Sequence, residues 1–174
     1  TRRKRLRFRR GESEALPELE SEAPRPVFLS GFLNQENLGL GYLTATLREH
    51  GYPVEVFDFA CDRREILTAA KALDPVLIGF SLIFQSRIRE FGGLIRFLRA
   101  HGVDCHFTIG GHFPSLSPDR TLELVPELDS VVRFEGELTL LELVGLLTKK
   151  EPWKGIEGIA YRDGGEVVAN PMRA

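Results

Sequence analysis

Cysteine is scarce: Cys61 and Cys105 are the two in 174 residues. Two distant thiols build neither a disulfide framework nor a zinc site of the usual spacing, and they point to a reducing, cytoplasmic setting. Long apolar runs are also missing, since none approaches the roughly 20 residues of a membrane-spanning helix. No secretory leader is visible in a chain that begins at Thr1. Charge of one sign is nearly absent from the balance, 23 basic against 25 acidic residues. That leaves no global case for nucleic acid or an anionic membrane surface. What is present is ordinary for a globular domain, 43% hydrophobic and 28% charged. One domain of about this length buries roughly 70% of its unfolded surface.

The charge is unevenly placed. Within residues 1–25, Arg2, Arg3, Lys4, Arg5, Arg7, Arg9 and Arg10 precede Glu12, Glu14, Glu18, Glu20 and Glu22. With Phe8 the lone interleaved aromatic, this reads as a solvated leader or an extension packing on a partner domain, not as a nucleic-acid arm.

From Pro26 the pattern alternates strand and helix. Val27 to Ser30, Val54 to Phe57, Val76 to Ser81, Cys105 to Ile109 and Val131 to Phe134 are short apolar runs suited to parallel strands. Between them, helical spacing recurs in Leu40, Leu43 and Leu47, in Ile66, Ala69, Ala70 and Leu73, and in Ile88, Phe91, Ile95 and Leu98. Asp62 followed by Glu65 has the form of a capping box, Gly51 falls where a left-handed helix cap belongs, and Pro75 and Gly102 stop their helices. Ser115 to Pro118 reads as a loop before a short helix carrying Leu122 and Val125. A last helix runs from Glu137, expected as its N-cap, to Lys149. Gly158 to Arg162 and Glu166 to Val168 read as a terminal hairpin around Asp163-Gly164-Gly165. Five such units predict an α/β fold with right-handed crossovers and helices on both faces. Ligand-facing loops then gather at the carboxyl edge: Gly31 to Gly39, Ser81 to Gln85, Gly110 to Phe113 and Phe134 to Thr139. Glycine, small hydroxyls and few charges there suit a large flat ligand held by backbone and packing, not a hydrolytic site.

Several of these stretches together resemble a known family. LGLGYLTATLREHGYPVEVFD, VLIGFSL, IGGHFPSLSPD, VVRFEGELTLLEL and GIEGIAYRDGGEVVANP follow one another as in the N-terminal cobalamin-binding domain of B12-dependent radical SAM enzymes. The resemblance spans about Pro26 to Arg173. It implies a flavodoxin-like, Rossmann-like three-layer sandwich with strand order 2-1-3-4-5, gripping a corrin and its nucleotide tail. Residues 1–25 would be an extension, 26–150 the cobalamin-binding domain, and 151–174 a hairpin leading towards a radical SAM barrel in cis. The 4Fe-4S cluster and S-adenosylmethionine would belong to that barrel, because this chain has no three-cysteine cluster motif. Aligning the family's Asp-x-His-x-x-Gly on Gly39 puts Asn34 at the aspartate and Glu36 at the histidine. Cobalt would therefore have no histidine ligand from this chain. The tail would thread between strands one and three past Ser81, Ile83, Gly110 and Gly111, and the corrin would rest on loops at Leu38, Leu82, His112 and Glu135. Asn37, Gly39, Gln85, Phe113, Gly136 and Thr139 complete the expected contacts, with no catalytic residue and no metal ligand.

Other readings compete at particular residues. Gly39-x-Gly41 with Asp58 imitates part of a dinucleotide fingerprint, but the third glycine is replaced by Thr44 and the glycines lie far from the strand. Asp58 is then a strand-end residue that holds the neighbouring loop. Ser81 occupies the position where a receiver domain needs an aspartate. A domain of this fold that binds no corrin and serves for docking would plug the tail channel with Phe107, Phe113 or Phe134. His112 is a rim residue; His50, His101 and His106 read as structural, and Trp153 as tail packing or a cover for the rim. A nucleotide-binding half-domain is the third alternative.

Overall fold

The computed structural model describes residues 23–33 and 37–173. The charged stretch 1–22 and the aligned pair Asn34 and Glu36 lie outside the described residues.

Five strands run parallel: β1 (Val27–Gly31), β2 (Val54–Asp58), β3 (Leu77–Ser81), β4 (His106–Gly110) and β5 (Ser130–Val132). The helices α1 (Leu38–Glu49), α2 (Arg63–Leu73) and α3 (Ile88–Ala100) follow the first three strands. Two short helices, α4 (His112–Leu116) and α5 (Pro118–Leu124), follow β4, and α6 (Glu137–Lys149) follows β5. The hairpin β6 (Ile159–Asp163) and β7 (Glu166–Ala169) pairs antiparallel with β5. The sheet therefore has seven strands in the order β2-β1-β3-β4-β5-β6-β7. The family order 2-1-3-4-5 is its parallel part, and the hairpin extends it. β5 is only three residues long, and the hairpin covers what would otherwise be a bare edge of unpaired backbone groups.

Local chemistry sets the element ends. Asp62 accepts a hydrogen bond from the Arg64 nitrogen at 2.7 Å and so caps α2. Gly51 and Gly102 end α1 and α3 with φ of +83° and +79°. Three expectations shift. Residues His112–Leu116 are helical, not a loop, and the chain breaks at Ser117 because Pro118 disfavours helical backbone before it. β5 closes at Val132, and Phe134 takes a left-handed φ of +58° with its nitrogen bonded to Ser115 Oγ at 2.7 Å. Gly136, not Glu137, is the cap of α6, so Glu137 sits in the first turn, where its charge complements the helix dipole.

The two faces of the sheet are filled differently. Against α2, α3 and α5 lie Phe28, Ile78, Phe80, Phe107, Ile109 and Val131, and nine phenylalanines in all belong to or pack on this layer. Phe59 stacks on Phe91 at 4.0 Å, and Phe80 meets Phe107 edge-on at 5.9 Å. The opposite layer, under α1 and α6, is built from aliphatics such as Val27, Leu29, Leu40, Leu47, Val132, Leu140, Leu143 and Val144, and among the described residues no buried phenylalanine belongs to it. Among the described residues, no helix is long and apolar enough to cross a membrane.

Candidate functional site

The aliphatic layer has a gap at its centre. Facing α1 and α6 in β3 and β4 are Gly79, Ser81, Thr108 and Gly110, which alternate with the buried Phe80 and Ile109 of the other layer. Small side chains at neighbouring positions of two adjacent strands leave α1 and α6 nothing to pack on there. The result is a cavity of about 140 Å³. Its walls are Leu29 of β1, Leu40 and Leu43 of α1, Val132 of β5, and Glu137 and Leu140 of α6. Gly39, Gly111, Phe134 and Gly136 also line it. A void near 150 Å³ admits one benzene-sized ring. Beyond it lies a wider basin of about 820 Å³ lined by His112, Leu116, Arg133, Glu135, Leu138 and Met172, among others. Gly111, Phe134 and Glu137 border both spaces.

The glycines of the mouth are required by contact geometry. A Cβ on Gly111 would lie 2.0 Å from the Leu82 carbonyl oxygen, and its φ is +127°. A Cβ on Gly136 would lie 2.8 Å from a methyl of Val132. Deeper in, a Cβ on Gly79 would meet a Leu29 methyl at 2.8 Å. Asn37 fixes the other side of the mouth: its Oδ1 accepts from the Leu40 nitrogen at 3.0 Å, and its Nδ2 donates to Ser81 Oγ at 3.3 Å. The first turn of α1 is thereby tied to the end of β3. Asp58 holds the β1 loop as expected, accepting from Ala60 and, more weakly, from Leu33.

The structure gathers Asn37, Gly39, Ser81, Gly110, Gly111 and Gly136 at the cavity and its mouth. Leu38, Ile83, Gln85, His112 and Glu135 are exposed on the surrounding rim. Three expected contacts are placed elsewhere. Leu82 is fully buried in the phenylalanine layer, because the residue after Ser81 turns to the opposite face, and only its carbonyl approaches Gly111. Phe113 packs on that same layer. Thr139 is fully buried, its hydroxyl donating to the Glu157 carbonyl at 3.1 Å, which ties α6 to the loop before β6. The void reaches from β1 to β5 rather than threading between strands one and three, and Ile83 is not on its wall. Sequence reasoning missed Leu29, Leu43, Gly79, Thr108, Val132 and Leu140. Gly79-x-Ser81 and Thr108-x-Gly110, small residues at one parity of two strands, were the available signal.

Of the three phenylalanines that would plug a degenerate channel, Phe107 and Phe113 belong to the other layer. Phe134 borders the mouth but is 47% exposed and leaves the cavity open. Trp153 is not on the rim; it packs edge-on against His106 and Tyr161. His50 and His101 close α1 and α3, each with Nδ1 on the carbonyl four residues back. Cys105 is half-buried, and burial pushes its thiol up to about 12. Among the described residues, no three His, Cys, Asp or Glu side chains group closely enough to hold a metal ion.

The rim is apolar. Among the described residues, Leu33, Leu38, Tyr42, Ile83, Phe84, Leu116, Phe134, Leu138 and Met172 are the exposed large hydrophobics, and they fall in the loops after β1, β3, β5 and β7, at the end of α4 or in the opening turns of α1 and α6. Exposed apolar residues so concentrated mark a surface meant to be covered.

A doubly wound α/β domain with a glycine-lined hole at the carboxyl ends of its strands has the architecture of a ligand-binding domain. The chain belongs to the B12 binding domain family, whose model matches residues 25–144. It is 31% identical to an uncharacterized methyltransferase of Pyrococcus horikoshii over 91% of this chain and 34% of that protein. It is 27% identical to the cytidylyl-2-hydroxyethylphosphonate methyltransferase of Streptomyces wedmorensis over 77% of this chain and 29% of that protein. The chain thus spans about a third of the length of these curated relatives. Among solved structures, it is similar to the cobalamin-dependent S-adenosylmethionine radical enzyme OxsB with aqua-cobalamin and S-adenosylmethionine bound. There the TM-score is 0.73 at 27% identity, covering 88% of this chain and 23% of that one.

Proposed function

We propose that this chain binds cobalamin, with the nucleotide tail in the cavity and the corrin on the rim, as the corrinoid-binding part of a B12-dependent radical SAM enzyme of methyltransferase type. The observation that carries the reading is the hole under α1 and α6, floored by Gly79, Ser81, Thr108 and Gly110 and free of aromatic plugs. One ring of a benzimidazole matches the volume of the cavity, and the remainder of the tail has room in the adjoining basin. Gly39, Ser81, Gly110, Gly111 and Gly136 would hold the tail by close backbone approach, with Asn37 positioning Ser81. Leu38, Ile83, Gln85, His112 and Glu135 would meet the corrin edge. Bound cobalamin would supply methyl-transfer chemistry at its cobalt, and the residues here would bind and orient it.

No histidine of this chain serves as lower ligand in this reading. His50 and His101 cap helices, His106 is engaged at the opposite end of β4, and His112 lies in the outer basin. A radical SAM barrel in cis, holding the 4Fe-4S cluster and S-adenosylmethionine, would cover the apolar rim. Titration with hydroxocobalamin tests the proposal: a shifted corrin spectrum and corrinoid retained through gel filtration are expected, and an unchanged spectrum with no retention refutes it. The EPR spectrum of bound cob(II)alamin should lack nitrogen superhyperfine splitting. A nitrogen splitting lost in His112→Ala would overturn the absence of a histidine ligand.

A further inference from the structure

The aliphatic layer carries one polar thread that packing alone does not call for. Thr108, at the cavity, accepts a hydrogen bond from Ser130 Oγ at 2.9 Å, and Ser130 Oγ lies 2.8 Å from His106 Nε2. Thr108 and Ser130 are 2% and 0% exposed, and Trp153 closes the far end edge-on against His106. Each buried polar group must be partnered, and an apolar trio would fill the same space without that demand. The thread can run in either direction. Burial keeps the imidazole neutral, with its pKa lowered to about 4, so Nε2 can donate to Ser130 or accept from it according to tautomer. The Thr108 hydroxyl donates to the Ser130 carbonyl only at 3.3 Å, a long bond that a better acceptor can displace.

Thr108 is also deep. It lies two residues before Gly110 along β4, about 6–7 Å further in at the usual strand rise. A tail base hangs from its ribose by one ring nitrogen, so the edge opposite that nitrogen would enter first, towards Thr108.

We propose that the Thr108–Ser130–His106 thread is a specificity device for the tail base, favouring cobamides whose base carries a hydrogen-bonding group on its leading edge, such as a hydroxybenzimidazole or adenine, over the dimethyl base of cobalamin. This rests on the tail-in-cavity reading above. A reversible thread serves both donors and acceptors, which is why an imidazole at its far end suits the task. The dimethyl base is tolerated, since the thread then stays satisfied internally.

The test compares binding of cobalamin, 5-hydroxybenzimidazolyl cobamide, adeninyl cobamide and tail-less cobinamide to the full chain and to its Thr108→Val and Ser81→Ala variants, with far-UV circular dichroism as the folding control. Taking variant-to-wild-type ratios for each ligand cancels differences in how readily each base leaves cobalt in solution. Thr108→Val should weaken the two polar-edged cobamides about tenfold more than it weakens cobalamin, as expected for a lost buried hydrogen bond, with tail-less cobinamide as the reference. Equal changes for all four ligands, or a base-dependent loss confined to Ser81→Ala, overturn the proposal. Cobinamide binding wild type as tightly as the tailed ligands overturns the tail-in-cavity reading itself, and this inference with it. If Thr108→Val fails to fold, wild type is decided by His106→Phe, which breaks the thread at its far end and should reduce the same two ligands selectively; an unselective effect refutes the thread.

Discussion

Replacing Gly111 with alanine should damage this domain more than any other glycine substitution at the rim. The backbone at Gly111 has φ +127° and ψ 179°, a region essentially reserved for glycine and costing about 1–3 kcal/mol for other residues. In addition the new Cβ would lie 2.0 Å from the Leu82 carbonyl oxygen and 2.9 Å from its carbon. These are backbone atoms, so rotating a side chain brings no relief. Relief means moving Leu82, whose nitrogen bonds the Gly110 carbonyl at 2.9 Å and whose side chain is fully buried. Together these predict a loss of about 3–5 kcal/mol. With a urea slope of about 2 kcal/mol per molar, the unfolding midpoint falls by roughly 1.5–2.5 M. Two controls grade the series. Gly110→Ala places its Cβ 3.2 Å from the Val132 carbonyl oxygen and should fall between wild type and Gly111→Ala. Gly41→Ala meets nothing within 4 Å in the exposed face of α1 and should stabilise by about 0.5–1 kcal/mol. Denaturation followed by circular dichroism decides. A Gly111→Ala midpoint within 0.5 M of wild type would refute the reasoning.

Arg99 donates to the carbonyls of Val103, Cys105 and Glu127, pairs with Asp129 at 2.6 Å and lies 3.8 Å from the centre of the Phe107 ring. Arg99→Lys cannot reproduce that planar fork and should cost about 2 kcal/mol, read as a melting temperature lower by roughly 4–8 °C. Burial lowers the His106 pKa from 6.5 to about 4, so the unfolded chain binds that proton first as pH falls. Its contribution is intact above about pH 6.5 and is lost towards pH 4, by at most roughly 3 kcal/mol. Stability against pH should therefore flatten in His106→Gln over that window, and an unchanged slope would show that other groups govern it. Ellman's reagent at pH 8 should titrate the exposed Cys61 quickly and Cys105 only on unfolding, since burial raises that thiol to about 12; two fast thiols would contradict the burial.

The alternation of elements and the caps at Asp62, Gly51 and Gly102 were legible because each depends on a neighbour a few residues away, whereas the close contacts of Gly110 with Val132 and of Gly111 with Leu82 come from distant strands and loops. The ligand-facing edge was legible as well, since it follows from parallel strands joined by helices. Phe134 and Glu137 were misplaced by a residue or two, since the end of β5 is set by Ser115 bonding the Phe134 nitrogen from another loop.

The sequence by itself determined a doubly wound sheet with glycines at one edge, because hydrophobic period and turn chemistry are local. Only the tertiary structure decided which face of each strand meets which helices. Runs such as Leu77–Ser81 are apolar on both faces, so hydropathy carries no parity, and a one-residue shift would exchange the phenylalanine layer for the hollow one. The cavity is the product of that choice: Gly79, Ser81, Thr108 and Gly110 had to come side by side under α1 and α6 before their small size became a space.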